Sequence, residues 1–387
     1  MALKVLLTVP DFASTNSPWR EVVGLAKHLP KDRYELTVCA LRPTAFEAAE
    51  SLFGTLGVRA VVSRFRPRGR GLSRWLSSFR DGKALRECGP FDLQHSMDFT
   101  ASPFEALMSR RHAGVFVFTQ RNMNEDGSRL MLKMKSRLAS SIICVSDAAR
   151  RVVEELGARD KSVTVYPGIE TEAITWRPFK PPTSGSFRIL MVGHVLPRKR
   201  FEDALLALAE LAPEYPQLRL RIVGREIDSA YRGRLDRFVR ENNLTNNVEF
   251  IGPQADVFGL MCESDLFLHT ATSEAFGMVV IEALAVGLPV IASRVQGPSE
   301  IIEHERTGLL VPPAEPRSIA ASIRFLLQHP DFARQLSESG RRRVESCFSS
   351  RRMASGIVSV YDSLLGCTTG RTQRRRSAQP STRPVPL

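Results

Sequence analysis

The chain has 387 residues, of which 43% are hydrophobic and 25% charged, values typical of a globular protein large enough for two domain cores. No apolar run approaches the roughly 20 residues that span a bilayer, and the apolar start VLLTV is too short for a signal peptide. The net charge of +13 is uneven: residues 1–175 carry 26 Lys and Arg against 19 Asp and Glu, residues 176–370 carry 23 against 22, and the remaining tail adds five Arg and no acid.

The first half of the chain alternates short apolar runs with amphipathic patterns. Strands are predicted at KVLLTVP, YELTVCAL, FDLQHS, GVFVFTQ, SIICV and SVTVYPG. Helices are predicted at WREVVGLAKHLP, AFEAAESLFGTLG, ASPFEALMSRRH and SDAARRVVEELG. Such βα repetition predicts a parallel sheet covered by helices.

A segment rich in Pro and Ser, from Trp176 to Ser186, predicts an interdomain linker. A second βα series follows, with strands at FRILMVG, LRLRIVG, NVEFIG, DLFLHTA and PVIAS. Its helices are predicted in RKRFEDALLALAELAPEYP, RGRLDRFVRENNL and SIAASIRFLLQHP. We therefore predict an α/β protein with two Rossmann-like domains facing a central cleft. The predicted boundaries are 1–178, 179–348, a helix at 349–366 that packs back on the first domain, and a disordered basic tail at 367–387.

One helix in the second series contains a single carboxylate. From Met278 to Val286 every residue except Glu282 is apolar, and Gly287 supplies a C-cap. A helix that is apolar all round is packed on all sides, and an unpaired carboxylate there would cost several kcal/mol or stay protonated. Glu282 therefore needs a partner, which is either an internal Arg, a backbone amide or a ligand hydroxyl.

Glu274 lies eight residues before Glu282, which is too far for both carboxylates to act on one bond. Between them, the amides of Phe276, Gly277 and Met278 should point outward from the helix start and offer an anion site for a diphosphate. This pattern indicates a long ligand with a diphosphate in its middle.

At these residues the chain resembles the retaining nucleotide-sugar glycosyltransferases with the GT-B fold, the branch called glycosyl transferases group 1, family four. The motifs that carry the resemblance are, in chain order, VGHVLPRKRFEDALLAL, LRIVG, VEFIG, SEAFGMVVIEALAVGLPVIAS and GLLVPP, and the likeness extends to about Gly366.

The resemblance implies a role for each matching residue. Glu282 would bind the ribose hydroxyls and Glu274 the hydroxyls of the transferred sugar. Lys199, helped by Arg198, would neutralise the leaving diphosphate. The remaining donor-side residues are the phosphate-strand residues Gly193 and His194, the helix-start residues Phe276, Gly277 and Met278, and the base-pocket residues Ile251, Gly252 and Pro253.

The implied chemistry needs no cofactor beyond a UDP- or GDP-linked sugar as co-substrate. Fixed cations and helix-end amides would stabilise the charge that builds on the diphosphate. The chain shows no D-x-D motif at a strand end and no C-x-x-C pair among its six cysteines, so we predict no metal site. The family retains anomeric configuration by front-face attack, and no protein nucleophile is named.

The sequence departs from the family pattern at several loops. His194 stands where Arg is usual, and it is either a weaker phosphate donor or a loop residue without a role. Asn16 and Ser17 occupy the place of a Gly-Gly loop. Arg121 stands where many members have His, and it is either an acceptor-side residue or a surface Arg. Gln296 replaces the first glycine of a second Gly-Gly loop.

The segment from Arg64 to Arg80 holds six Arg and no acid, interleaved with Phe65, Trp75 and Phe79. Such a segment suits an anionic membrane surface or a lipid-linked acceptor, or it is a solvated loop. No recognition motif supports binding to nucleic acid.

We therefore predict an enzyme that is either free in the cytoplasm or bound as a peripheral protein at the inner face of the plasma membrane. It would move a sugar to a cell-envelope glycan, glycolipid or related acceptor. Two alternatives stay open: a nucleotide-sugar epimerase, which would turn over donor with no acceptor present, and a non-catalytic sugar-nucleotide binding protein, which would bind without releasing nucleoside diphosphate.

Overall fold

A computed structural model describes residues 2–12, 17–42, 44–62, 89–97, 99–123, 128–181 and 185–366, with the side chains of Ser17 and Pro18 left out. The described chain forms two lobes. The N-terminal lobe consists of residues 2–173 and the last helix, and the C-terminal lobe consists of residues 185–347. Each lobe is built around its own parallel β-sheet.

The N-terminal lobe has a seven-stranded sheet in the order β3-β2-β1-β4-β5-β6-β7, and every neighbouring pair is parallel. Its strands are β1 (Leu3–Val9), β2 (Tyr34–Ala40), β3 (Arg59–Val62), β4 (Phe91–Ser96), β5 (Ala113–Gln120), β6 (Ser141–Cys144) and β7 (Ser162–Thr164). Its helices are α1 (Ser17–His28), α2 (Phe46–Thr55), α3 (Phe104–Ser109), α4 (Arg129–Leu138) and α5 (Asp147–Glu154).

The C-terminal lobe has a six-stranded parallel sheet in the order β10-β9-β8-β11-β12-β13. Its strands are β8 (Phe187–Val192), β9 (Leu218–Val223), β10 (Val248–Gly252), β11 (Leu266–His269), β12 (Val290–Ser293) and β13 (Leu309–Val311). Its helices are α6 (Phe201–Leu211), α7 (Ser229–Glu241), α8 (Val257–Cys262), α9 (Met278–Val286), α10 (Gln296–Ile301), α11 (Pro316–Gln328) and α12 (Pro330–Cys347).

The last helix, α13 (Ser350–Leu365), returns to the N-terminal lobe. Its buried residues Met353, Ile357 and Tyr361 pack into the same core as strands β1, β2 and β4. The chain thus crosses between the lobes twice. The two crossings touch at a parallel bridge between Ile169 and Ser349, where the backbone of Gly168 lies so close that an added Cβ would sit 2.4 Å from the Ser349 carbonyl oxygen.

The observed elements differ from the sequence-based prediction in a few places. Strand β7 ends at Thr164, before the predicted YPG. No element was predicted in the segments that form strands β3 and β13 and helices α4, α8, α10 and α12. None of the helices in the described part of the chain combines the length and apolar character needed to cross a membrane. The Arg64–Arg80 segment and the 367–387 tail lie outside the described residues.

Candidate functional site at the topological switch point

The C-terminal sheet has a switch point between β8 and β11, because the chain leaves these adjacent strands towards opposite edges. Ligands of open α/β sheets bind beyond the carboxyl ends of the strands at such a point. Gly193 directly follows β8, and its amide donates to the Val223 carbonyl at 2.8 Å. Gly224 approaches from β9 with φ of +150°, and an added Cβ would lie 1.9 Å from the Gly193 oxygen. This close contact requires glycine at position 224.

Lys199 reaches this switch point from a single 3-10 turn, Pro197–Lys199. The turn ends at Arg200, whose backbone is left-handed with φ of 52°. The Thr270 hydroxyl, just beyond β11, donates to the carbonyls of Lys199 and Arg200 at 2.8 and 2.9 Å. The lysine backbone is therefore fixed against the strand that leads to Glu274.

Lys199 and Glu274 form an ion pair, with Nζ 2.6 Å from Oε2. Their side chains are 14% and 19% exposed, so the pair lies largely away from water. Burial alone would raise the pKa of Glu274, but the Lys199 ammonium and the nearby His269 outweigh it and hold that pKa well below its usual range. The pair thus supplies a fixed cation and an ionised carboxylate side by side.

His269, the last residue of β11, is a site residue that the sequence analysis missed. Its Nε2 lies 3.7 Å from Glu274 Oε2, and neither ring nitrogen has a hydrogen-bond partner within 3.5 Å among the described residues. Burial lowers the pKa of His269, so the ring is neutral at pH 7. The available signal was its position as the only polar residue of the buried strand LFLH, at the carboxyl end.

Helix α9 begins where its sequence predicts, after the N-cap Gly277 with φ of 106°. Its first amides have no acceptor within the helix, so they are available to a ligand at this end of α9. Gly297 supports the preceding segment: its amide donates to the Glu274 carbonyl at 2.9 Å, and an added Cβ would lie 2.1 Å from the Phe276 carbonyl oxygen. The Phe276 side chain is buried in an aromatic cluster with Tyr166 and Phe348, so only its backbone faces the ligand side.

Glu282 finds the partner that the sequence left open, and it is an internal arginine. Arg20, on α1 of the N-terminal lobe, forms an ion pair with the Glu282 carboxylate. The Glu282 side chain is 6% exposed. Burial raises the pKa of Glu282, and the Arg20 guanidinium opposes that rise. The ion pair links the two lobes at the candidate ligand site.

The other predicted cations lie at the rim of the site. Arg198 is exposed and donates to the Ser273 carbonyl at 3.1 Å. His194 is exposed as well, and partial burial of its ring together with the nearby Arg225, Lys199 and Arg198 lowers its pKa. His194 is therefore a neutral group at pH 7, unlike the arginine usual at this place.

The predicted base-pocket residues Ile251, Gly252 and Pro253 end strand β10 and continue towards α8. The Gly252 carbonyl accepts a 3.0 Å bond from the Gly224 amide, which connects this loop to the phosphate strand. An interlobe cavity of about 420 Å³ lies against α8. Its lining includes Trp19, Arg20, Glu170, Phe258 and Val286.

The acceptor-side predictions fare differently. Arg121 binds Glu21 through two hydrogen bonds of 2.6 and 2.7 Å, and the two side chains are 4% and 3% exposed. The interpretation of Arg121 as a surface Arg is therefore wrong: the buried Glu21 carboxylate holds it inside the N-terminal lobe. Ser17 begins α1, and Asn16 lies outside the described residues. In the part of the chain that is described, no three His, Cys, Asp or Glu side chains group together as metal ligands would.

Two family models match consecutive parts of the chain. Residues 20–173 match "Glycosyltransferase Family 4" and residues 173–343 match "Glycosyl transferases group 1". The boundary between the matches falls at the first crossing between the lobes. Together they extend from Arg20 almost to the end of α12.

Among curated proteins, the chain is 25% identical over 305 residues to an uncharacterized glycosyltransferase of Methanocaldococcus jannaschii, covering 76% of this chain and 82% of that one. It is 26% identical over 298 residues to the lipopolysaccharide core biosynthesis glycosyltransferase LpsD of Rhizobium meliloti, covering 75% and 80%. Among solved structures, HepE of Anabaena in complex with UDP and glucose superposes with a TM-score of 0.78 at 21% identity, covering 93% of this chain and all of that one. The predicted fold of two Rossmann-like domains is confirmed.

Proposed function

Because the chain belongs to the group 1 glycosyltransferases with the GT-B fold, we propose that it transfers a sugar, with retention of configuration, from a UDP- or GDP-sugar to a cell-envelope glycan, glycolipid or related acceptor. The observation that carries the proposal is the Lys199–Glu274 pair at the switch point, beside the start of α9. The identity of the nucleotide draws support from the UDP complex of the similar Anabaena protein.

Each site residue contacts a different part of the donor molecule. Glu282 accepts hydrogen bonds from the ribose, the first amides of α9 meet the diphosphate, and Glu274 accepts from hydroxyls of the sugar. As the anomeric C–O bond breaks, its electron pair goes to the diphosphate, and the Lys199 ammonium stabilises that charge with help from Arg198. The acceptor hydroxyl attacks the same face, and its proton passes to the leaving diphosphate oxygen.

His269 belongs to the positioning groups in this proposal. Once Lys199 turns towards the diphosphate, the ammonium attracts the Glu274 carboxylate less strongly, although that carboxylate stays mostly buried. The His269 ring, which makes no hydrogen bond to the described residues, lies next to that carboxylate and is placed to donate a hydrogen bond to it. The sugar-binding carboxylate would thus stay oriented through the reaction.

The acceptor side belongs to the N-terminal lobe in this proposal, with Arg64–Arg80 as a contact to an anionic membrane surface at the inner face of the plasma membrane. The segment lies outside the described residues, so its support is the sequence pattern alone. Binding to acidic liposomes tests it: loss of binding when its arginines are replaced by glutamines is expected, and unchanged binding would contradict it.

The decisive experiment measures thermal stabilisation by UDP, GDP, ADP and TDP without added metal, followed by release of nucleoside diphosphate from the matching sugar donor. We expect one nucleotide to raise the melting temperature in the wild type and not in Glu282→Gln. Sugar-isomer formation without acceptor would favour an epimerase. Binding without any diphosphate release, with every acceptor tested, would favour a binding protein, and no stabilisation by any nucleotide would contradict the donor-site assignment.

A further inference from the structure

The carboxylate assigned to the ribose is already engaged. The Glu282 side chain is 6% exposed, and its polar partner across the lobe interface is the Arg20 guanidinium. The guanidinium bonds Oε1 of this carboxylate, and a ribose hydroxyl would have to reach either oxygen through the 6% of the side chain that is exposed. Both groups cannot cover so small an accessible surface together, so one must give way to the other.

Arg20 is built to move more easily than Glu282. Its side chain is 32% exposed and its guanidinium lies over the Phe258 ring, 4.7 Å from the centroid. A buried carboxylate left alone pays a large desolvation penalty, whereas an arginine that is one-third exposed can move its charge to water at low cost. Two ribose hydroxyls would replace the donors that Glu282 loses.

The structure also shows where Arg20 can go. Arg20 lines the 420 Å³ interlobe cavity, and the Glu170 carboxylate lines the same cavity. Glu170 already accepts from Lys27 at 2.7 Å and contacts His28 at 2.9 Å, so this wall of the cavity is a charged cluster about two turns further along α1. A guanidinium that leaves Glu282 has space and a second carboxylate nearby.

We infer that Arg20 is an affinity-determining residue of the donor site, which competes with the ribose of the nucleotide for Glu282. The inference rests on the proposed function. The competition acts on nucleotides only, because a diphosphate without ribose reaches Lys199 and the α9 amides without touching Glu282. Other contacts between the lobes, such as the Glu300 carboxylate with the amides of Asp147 and Ala148 at 2.8 and 2.9 Å, would remain.

The test compares binding of UDP or GDP with binding of inorganic pyrophosphate by calorimetry at pH 8, which favours ionised Glu282. The variants are Arg20→Gln and Arg20→Met, which remove the charge, and Arg20→Lys, which keeps it. Arg129→Gln is the matched control, since it removes an N-terminal-lobe cation whose partner, the exposed Glu155, does not line this cavity. Using two charge-removing variants keeps the test valid if one of them folds poorly.

We expect Arg20→Gln and Arg20→Met to bind the nucleotide about tenfold more tightly, which corresponds to a competent fraction of about one tenth in the wild type. Pyrophosphate affinity should not change, and Arg20→Lys and Arg129→Gln should behave as the wild type. Equal or weaker nucleotide binding by the charge-removing variants would overturn the inference and leave the proposed function intact. Absence of nucleotide binding in the wild type and in every variant would instead overturn the proposed function, and the inference with it.

Discussion

Removing the Lys199 ammonium alone should destabilise the protein more than removing the Lys199 ammonium and the Glu274 carboxylate charge together. The two charges lie 2.6 Å apart, which corresponds to a gross attraction of about 6 kcal/mol at an effective dielectric constant near 20. Desolvation of both groups offsets much of that attraction. Lys199→Met leaves the Glu274 carboxylate, 19% exposed, without its cation.

Losing one partner of a buried pair costs about 3–5 kcal/mol, and the residual exposure of both side chains reduces this to roughly 2–3 kcal/mol for Lys199→Met. In the double variant Lys199→Met with Glu274→Gln neither charge remains. We therefore expect it to lie within about 1 kcal/mol of the wild type. The assay is calorimetric melting, where 1 kcal/mol corresponds to about 2–4 °C for a unit the size of one lobe.

The same variants should respond to pH in a defined direction. The folded-state pKa of Glu274 is depressed, so its contribution to stability is complete above its unfolded pKa and is lost as the pH falls through the folded value. The gap between the wild type and Lys199→Met should therefore be widest above about pH 5 and narrow below the ordinary glutamate pKa of about 4.3. Additive effects of the two single changes, or a gap that widens in acid, would refute this reasoning.

Three further changes have clear expected outcomes. Glu282→Gln should weaken nucleotide binding about 10- to 100-fold by calorimetry, because hydrogen bonds to a charged group contribute about 1.5–3 kcal/mol, and unchanged affinity would contradict the ribose assignment. Gly297→Ala should lower both the melting temperature and transferase activity, because the new methyl group meets backbone, whereas Gly233→Ala, with open space around it, should do neither. Arg121→Met should cost about 3–5 kcal/mol in denaturant unfolding by leaving the Glu21 carboxylate buried and unpaired; a loss below about 1 kcal/mol would contradict that.

The sequence was most informative where local pattern and tertiary environment agree. Helix α9 is apolar on all sides and has glycine at both ends, so its bounds and its burial were readable. Helix α12 was not predicted, because its stability comes from contacts remote in sequence. Gly340 packs so tightly that an added Cβ would be 2.6 Å from Leu284, and the Ser337 hydroxyl donates to the Gly287 carbonyl.

The same limit applied to the site. The need of Glu282 for a partner followed from its apolar surroundings, but Arg20 lies 262 positions away and no local pattern connects the two. Arg121 and Glu21 are likewise 100 positions apart, so burial of the arginine could not be foreseen. Residue type and spacing were enough to propose ligand-facing groups, while the contacts across the lobe interface required the folded chain.

The paired crossings at Ile169 and Ser349 determine how the lobes can move. A single connecting segment would allow the two lobes to rotate relative to each other about any axis. Two chain crossings held side by side act as a hinge, so we expect the lobes to rotate about one axis that runs through both crossings. Because Arg20 and Glu282 lie on different lobes, a small rotation about this axis would separate them without sliding one lobe across the other. We therefore expect any opening of the donor site to follow this one rotation.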